Sequence, residues 1–309
     1  MTEDQLDQID DVEEEQIAEQ LLKGPPVGWF QMGGPNGPFM QGKAKPKPLA
    51  KLPAGSYQVV STMAGTILMP ARLLSDTIIA LPDTENDSVV ASIQAFWKAR
   101  QRFKSKGQLY KRGILMEGPP GSGKTIAVLR IAKELISSGG LVMLWGGSGA
   151  TGDSLKMLRE LEPDRPVVVI IEDLDNVISK DKRGLLALLD GETQVDNVVY
   201  LATTNYIDKL PPEIANRPSR FDEIVHIGFP SAAARKIYIR SLLNPEELSD
   251  KGLEGWLAES EGLGIAHLKE LVVATYCLGR DPSEVIKRLR KMGEAANAGE
   301  QLGSLTAKA

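Results

Sequence analysis

Apolar residues along this chain fall into two regimes that meet near Pro230. Before it, short apolar runs alternate with segments whose apolar positions recur every three or four residues. Strands are expected at Gly113–Glu117, Leu141–Trp145, Val167–Ile171, Val198–Ala202 and, short and interrupted by His226, Glu223–Ile227; Val167–Ile171 is an unbroken apolar one. A run with no polar alternation is what a strand buried on both faces requires. The intervening segments Asp87–Lys104, Lys124–Ser137, Ser154–Leu161 and Leu185–Leu189 are expected to be helical; the first has apolar positions at Val89, Val90, Ile93, Phe96 and Trp97. Strands alternating with helices imply an α/β fold, a parallel sheet flanked by helices. Beyond Pro230 the period is helical throughout: Ala232–Leu243, Pro245–Ser260, Ile265–Leu278 and Pro282–Met292. Asn244 and Asp281, each before a proline, are good helix starts. This region reads as a four-helix lid.

Upstream the pattern weakens. Tyr57–Val60 and Thr66–Met69 read as short strands around Ala64-Gly65. Residues 24–55 are rich in Gly and Pro and end in KAKPKP, too little apolar surface to fold alone, so a linker is expected. Its Trp29, Phe30 and Phe39 suit docking into a groove on a partner or on the protein itself. Residues 1–23 are strongly acidic, with Leu6, Ile9, Val12, Ile17 and Leu21 at near-helical spacing. They are either a solvated tail or a docking peptide for a partner or neighbouring subunit. Residues 293–309 are small and polar and read as a flexible tail. The resulting division is 1–23, 24–55, a strand-bearing extension 56–80, a large α/β unit 81–230, the lid 231–292 and the tail 293–309.

Composition changes the picture only at its edges. A hydrophobic fraction of 42% and a charged fraction of 25% are those of an ordinary globular protein. A net charge of −5 removes any global electrostatic case for nucleic acid. One local cluster runs the other way: Lys98, Arg100, Arg102, Lys104, Lys106, Lys111 and Arg112 occur with no intervening acid. It reads either as a nucleic-acid path or as a solvated helix face or subunit contact. The single cysteine, Cys277, excludes an internal disulfide framework and fits a buried thiol in a reducing compartment. No apolar stretch reaches the ~18 residues of a membrane span, and the acidic N-terminus is no secretory signal. A cytoplasmic location is expected.

The chemistry sits at the ends of the buried runs. GPPGSGKT follows a strand and opens a helix. In that context Gly118, Pro119, Pro120, Gly121, Ser122, Gly123, Lys124, Thr125 and Ile126 form a phosphate-binding loop. Its glycines let backbone N–H groups wrap phosphates, and the helix N-terminus adds a favourable dipole. Lys124 is placed for the β- and γ-phosphates of ATP, and Thr125 for Mg²⁺. The run VVVIIEDLD ends in Glu172 and Asp173, which reach the same edge. By position Glu172 binds Mg²⁺, directly or through water, and Asp173 orients and deprotonates the attacking water; both are therefore candidate metal residues with Thr125. VVYLATTN places Asn205 beside them, within reach of that water or of the γ-phosphate. In NRPSRFD, Arg217 and Arg220 lie three apart, suited to stabilising transition-state charge on a neighbouring subunit's nucleotide.

Taken together, these four motifs, in this order, resemble the AAA family of AAA+ ATPases over roughly residues 81–278. The resemblance implies a homo-oligomeric ring, usually a hexamer, with nucleotide at the subunit interfaces. Asn205 matches the family's sensor-1 residue. Arg217 and Arg220 match its paired arginine fingers in RPGRFD, with Ser219 in place of Gly. GLGIAHL, Gly262 to Leu268, is similar to the lid motif in which Gly264 and Ala266 approach the nucleotide, with His267 standing where that motif has Asp. Within the family, YKRGILMEGPPGSGKT, the Glu-Asp order of EDLD and GLLALLDG resemble the mitochondrial chaperone branch that translocates the Rieske protein, although residues 1–80 do not match it. The pore loop of peptide-threading members falls on WGGSGATGDS, where only Trp145 is bulky. The leading expectation is an ATPase that remodels or moves a protein partner recruited through residues 1–80. A DNA-associated motor or loader and a slow nucleotide-gated assembly switch are the alternatives.

Overall fold

The computed structural model describes residues 49–292, except Ala64, 74–78, Ala80, 83–84, 191–192 and Asn216, together with the backbone of 28–31 and 39–42. The segments read as an acidic tail (1–23) and a C-terminal tail (293–309) lie outside the described residues. The strands are β1 (Gly28–Gln31), β2 (Phe39–Gly42), β3 (Gly55–Thr62), β4 (Gly65–Ala71), β5 (Lys111–Glu117), β6 (Leu141–Leu144), β7 (Val167–Ile171), β8 (Val198–Thr204) and β9 (Glu223–His226). They form one sheet in the order β1-β2-β4-β3-β6-β7-β8-β5-β9. From β3 to β9 in that order every pairing is parallel; β4, β2 and β1 add on antiparallel beyond β3.

Helices cover both faces, as a parallel sheet of unbroken apolar strands requires. On one face lie α1 (Asn86–Lys98), α2 (Arg100–Ser105) and α3 (Lys124–Ser137), packed on Ile114, Met116, Val142, Val168 and Leu201. On the other lie α4 (Ser148–Leu161) and α5 (Leu174–Asp190), packed on Leu115, Met143, Val169 and Tyr200. A short α6 (Pro212–Ala215) follows β8. The lid has its own apolar cluster and four helices: α7 (Ala232–Leu242), α8 (Asp250–Glu259), α9 (Ile265–Val272), which runs into a π turn at Val273–Cys277, and α10 (282–292). The lid helices predicted from the apolar period are therefore present, and Cys277 is exposed, not buried.

Three expectations need correction. The presumed linker 24–55 is not structureless, because β1 and β2 lie within it and extend the sheet through β4. Gly and Pro weaken strand propensity, but main-chain pairing to an existing edge supplies the order that the composition lacks. The extension 56–80 carries its expected short strands, β3 and β4, but they belong to the central sheet and so lie inside the α/β unit, whose start at 81 is too late. Tyr57, Val59 and Leu68 sit in the same apolar cluster as the central strands. A buried ion pair fastens its start: Glu162 accepts from the Leu52 amide at 2.7 Å and pairs with Arg165 at 2.9 Å, and Arg165 donates to the Leu52 carbonyl at 3.0 Å. Finally, α4 begins six residues early. Asp181, at a kink in α5 (φ −144°, ψ 45°), accepts from the Ser148 amide at 2.9 Å and caps the Gly-rich turn. The expected pore loop is thus mostly helix N-terminus.

Candidate nucleotide-binding site

The register of the central strands assembles the site. Ile171 pairs with Ala202, and Glu117 with Thr204, so the carboxyl ends of β7, β8 and β5 lie side by side. Just past them come Glu172-Asp173, Asn205 and the loop Gly118–Gly123. Ligands of open α/β sheets bind at this edge.

The loop is shaped for a phosphate. Gly118, Gly121 and Gly123 have φ of 153°, 76° and 110°. A Cβ on Gly118 would stand 2.1 Å from the Ile227 carbonyl oxygen, so only glycine fits between β5 and the strand beside it. Lys124 opens α3 with its ammonium folded back onto the loop, donating to the carbonyls of Gly118 at 2.7 Å and Pro119 at 3.0 Å. Burial lowers its pKa, against the opposing pull of Glu117 and Asp173. The Ser122 hydroxyl is buried with no partner among the described residues. An orphaned donor, a bent glycine loop and a desolvated ammonium together fit the oxygens of a nucleotide's phosphates.

The carboxylates are held differently from one another. Asp173 takes a left-handed backbone (φ 50°), a conformation that costs energy outside glycine, and its amide donates to the Thr203 hydroxyl at 3.3 Å. Burial, and then Asp173, raise the pKa of Glu172. A cation there would remove that penalty. Among the described residues no three His, Cys, Asp or Glu side chains cluster as a metal cage. Two carboxylates and Thr125 suit Mg²⁺ that arrives already coordinated by phosphate. Thr204 donates to Asp175 at 3.2 Å and accepts from the Tyr206 amide at 3.1 Å, bracketing Asn205.

The lid touches the loop. A Cβ on Gly264 would fall 2.3 Å from the Gly121 carbonyl oxygen, and a Cβ added to Gly121 would stand 3.4 Å from the Ala266 methyl. His267 accepts from the Gly264 amide at 3.2 Å through Nδ1, which closes the first turn of α9, and burial lowers its pKa. The two arginines part company. Arg220 is buried, bound to Asp190 at 3.0 Å and to the Glu213 carbonyl, whereas the side chain of Arg217 is 59% exposed with a longer 3.3 Å contact to Asp190. Arg220 thus spends its guanidinium inside its own chain. Sequence reasoning missed Asp190, the acid that orients both arginines, and the Glu117–His226 contact at 2.6 Å beside the loop. Both acids end apolar runs, which was the available signal.

Comparison with known proteins agrees with this geometry. Residues 114–229 match the ATPase family associated with various cellular activities (AAA). This segment is an AAA ATPase domain. The chain is 29% identical to an ATP-dependent zinc metalloprotease FtsH of Acidothermus cellulolyticus, over 59% of this chain and 30% of that protein. It is 30% identical to a probable mitochondrial chaperone bcs1 of Schizosaccharomyces pombe, over 58% and 42%. It is also 30% identical to a proteasome-activating nucleotidase of Saccharolobus islandicus, over 60% and 52%. The chain thus spans between about a third and about half of these relatives. The chaperone resemblance seen in the motifs is present, at an identity within one percentage point of the other two, so the AAA domain is the common ground. No described helix is long and apolar enough to cross a membrane.

Proposed function

We propose that the chain hydrolyses ATP to ADP and phosphate at the interfaces of a homo-oligomeric, hexameric ring in the cytoplasm, and uses the cycle to remodel or move a protein partner. The observation that carries this reading is the convergence of Lys124, Glu172-Asp173 and Asn205 at one sheet edge, with Arg217 left exposed. The loop amides and Lys124, released from its own carbonyls, bind the β- and γ-phosphates. Asp173 takes a proton from water as the water oxygen attacks the γ-phosphorus, and Asn205 orients that water. The bond to the β-phosphate oxygen breaks and ADP leaves. Mg²⁺, held by Thr125 and Glu172, would neutralise the phosphate oxygens. Arg217 of a neighbouring copy stabilises the charge that develops, while Arg220 fixes the loop that presents it. A protein partner is supported by the names of the relatives, a metalloprotease, a chaperone and a proteasome activator.

Steady-state ATPase assays test the reading. Lys124→Ala should abolish turnover. Arg217→Ala should lower it by roughly 10³-fold or more with ATP binding retained. Turnover in Lys124→Ala equal to that of the parent would refute the assignment.

A further inference from the structure

An acid stands directly against the phosphate loop. Glu117 is the last residue of β5; it follows the buried run Gly113 to Met116 and precedes Gly118. Its side chain is only 19% exposed. In register it lies opposite Thr204 on β8 and His226 on β9, at the level of the sheet edge from which Asn205 and the loop depart. Among the described residues its one hydrogen-bond partner is His226, whose Nδ1 lies 2.6 Å from Oε1. An ionised carboxylate only accepts, so Nδ1 carries the proton. The His226 side chain is 64% exposed.

A negative charge in this place works against the loop's task. The loop must attract a polyanion, and a carboxylate beside it repels one. Its attraction falls on Lys124. The ammonium donates to the carbonyls of Gly118 and Pro119, the two residues that follow Glu117. Burial lowers the pKa of Lys124, and of the charges that oppose this Glu117 comes first, ahead of Asp173. Two places therefore compete for one ammonium: the folded-back one beside Glu117, and an extended one on the β- and γ-phosphates. His226 competes in turn for the carboxylate, because a proton donated to Oε1 stabilises the charge there and weakens its hold on other cations.

We propose that Glu117 is a positioning residue for Lys124: its carboxylate holds the ammonium in the folded-back place and so sets how tightly ATP binds, and His226, by holding Oε1, relieves that hold. The inference rests on the assignment of Lys124 to the phosphates of ATP. A pair that merely ties β5 to β9 makes a different prediction, since loss of either partner would then act in the same direction.

Titration of the full chain with ATP distinguishes the two. Glu117→Gln should bind ATP roughly fivefold more tightly than the parent, and His226→Phe roughly fivefold less tightly. The double variant should match Glu117→Gln, because His226 acts only through the carboxylate. Weaker binding in both single variants would overturn the proposal, as would unchanged binding in Glu117→Gln. Lys124→Ala separates this inference from the site itself. If that variant binds ATP as the parent does, the assignment of Lys124 fails and the role of Glu117 with it. If it loses ATP while Glu117→Gln binds no more tightly, the role of Glu117 fails alone.

Discussion

At the residue scale, His267 shows how one side chain joins two tasks. Its Nδ1 accepts from the Gly264 amide, so the ring must be unprotonated there, and the ring fills the space beside Gly121 that a Cβ on that glycine would enter, at 3.7 Å. Burial holds its pKa below the ordinary histidine value of about 6.5. With the folded pKa the lower one, the unfolded chain binds more protons just below 6.5. The contribution is therefore intact above about pH 6.5 and is lost as pH falls below it. His267→Gln keeps an acceptor for the Gly264 amide without a titrating ring. Thermal midpoints followed from pH 7.5 downward should fall more steeply in the parent than in His267→Gln; parallel curves would separate His267 from any pH response. Arg220 teaches a different lesson at this scale. The sequence paired it with Arg217 because motif spacing records order along the chain. Which guanidinium stays exposed was decided by Asp190, at the end of α5, which holds Arg220 buried at 3.0 Å and leaves Arg217 at its rim.

At the element scale, the contact between the phosphate loop and α9 is a backbone approach that only glycine at 264 permits. Gly264→Ala must push the lid off the loop, since its methyl would meet the Gly121 oxygen. ATP affinity should drop by roughly tenfold, read by titration with a fluorescent nucleotide. The thermal midpoint should move little, because the lid core of Leu253, Trp256, Leu268 and Leu289 is untouched. The elements themselves were legible wherever a buried apolar run set the period, as in β5 to β8 and the lid helices. They were illegible where a distant partner creates the order. The start of α4 depends on Asp181, 33 residues away, and β1 and β2 depend on the edge offered by β4. No local window of sequence contains those partners. The site was legible to the same extent: the loop and acids end predicted strands, while the contacts of Asp190 and Glu117 are made through space.

At the scale of the whole molecule, one ion pair adds a clasp where the N-terminal strands join the ATPase domain. Glu162 and Arg165 sit at the base of β7 and clasp both polar groups of Leu52. Glu162→Ala leaves a largely buried guanidinium and a buried amide without their acceptor, a loss of about 3–5 kcal/mol. In a chain of this size that corresponds to a thermal midpoint lower by ~10 °C. Glu162→Gln, which keeps an oxygen for the Leu52 amide, should fall between the two. The parallel seam between β3 and β6 carries a further consequence, for synthesis. Gln58 reaches the Trp145 carbonyl across 87 residues, so β3 emerges from the ribosome long before the strand that receives it. Until β6 is made, the β3–β4 hairpin exposes Tyr57, Val59 and Leu68 and an unsatisfied edge, a pairing template for other nascent chains. Production of this protein should therefore be more sensitive to chaperone supply and to translation speed before residue 144 than its finished stability would suggest.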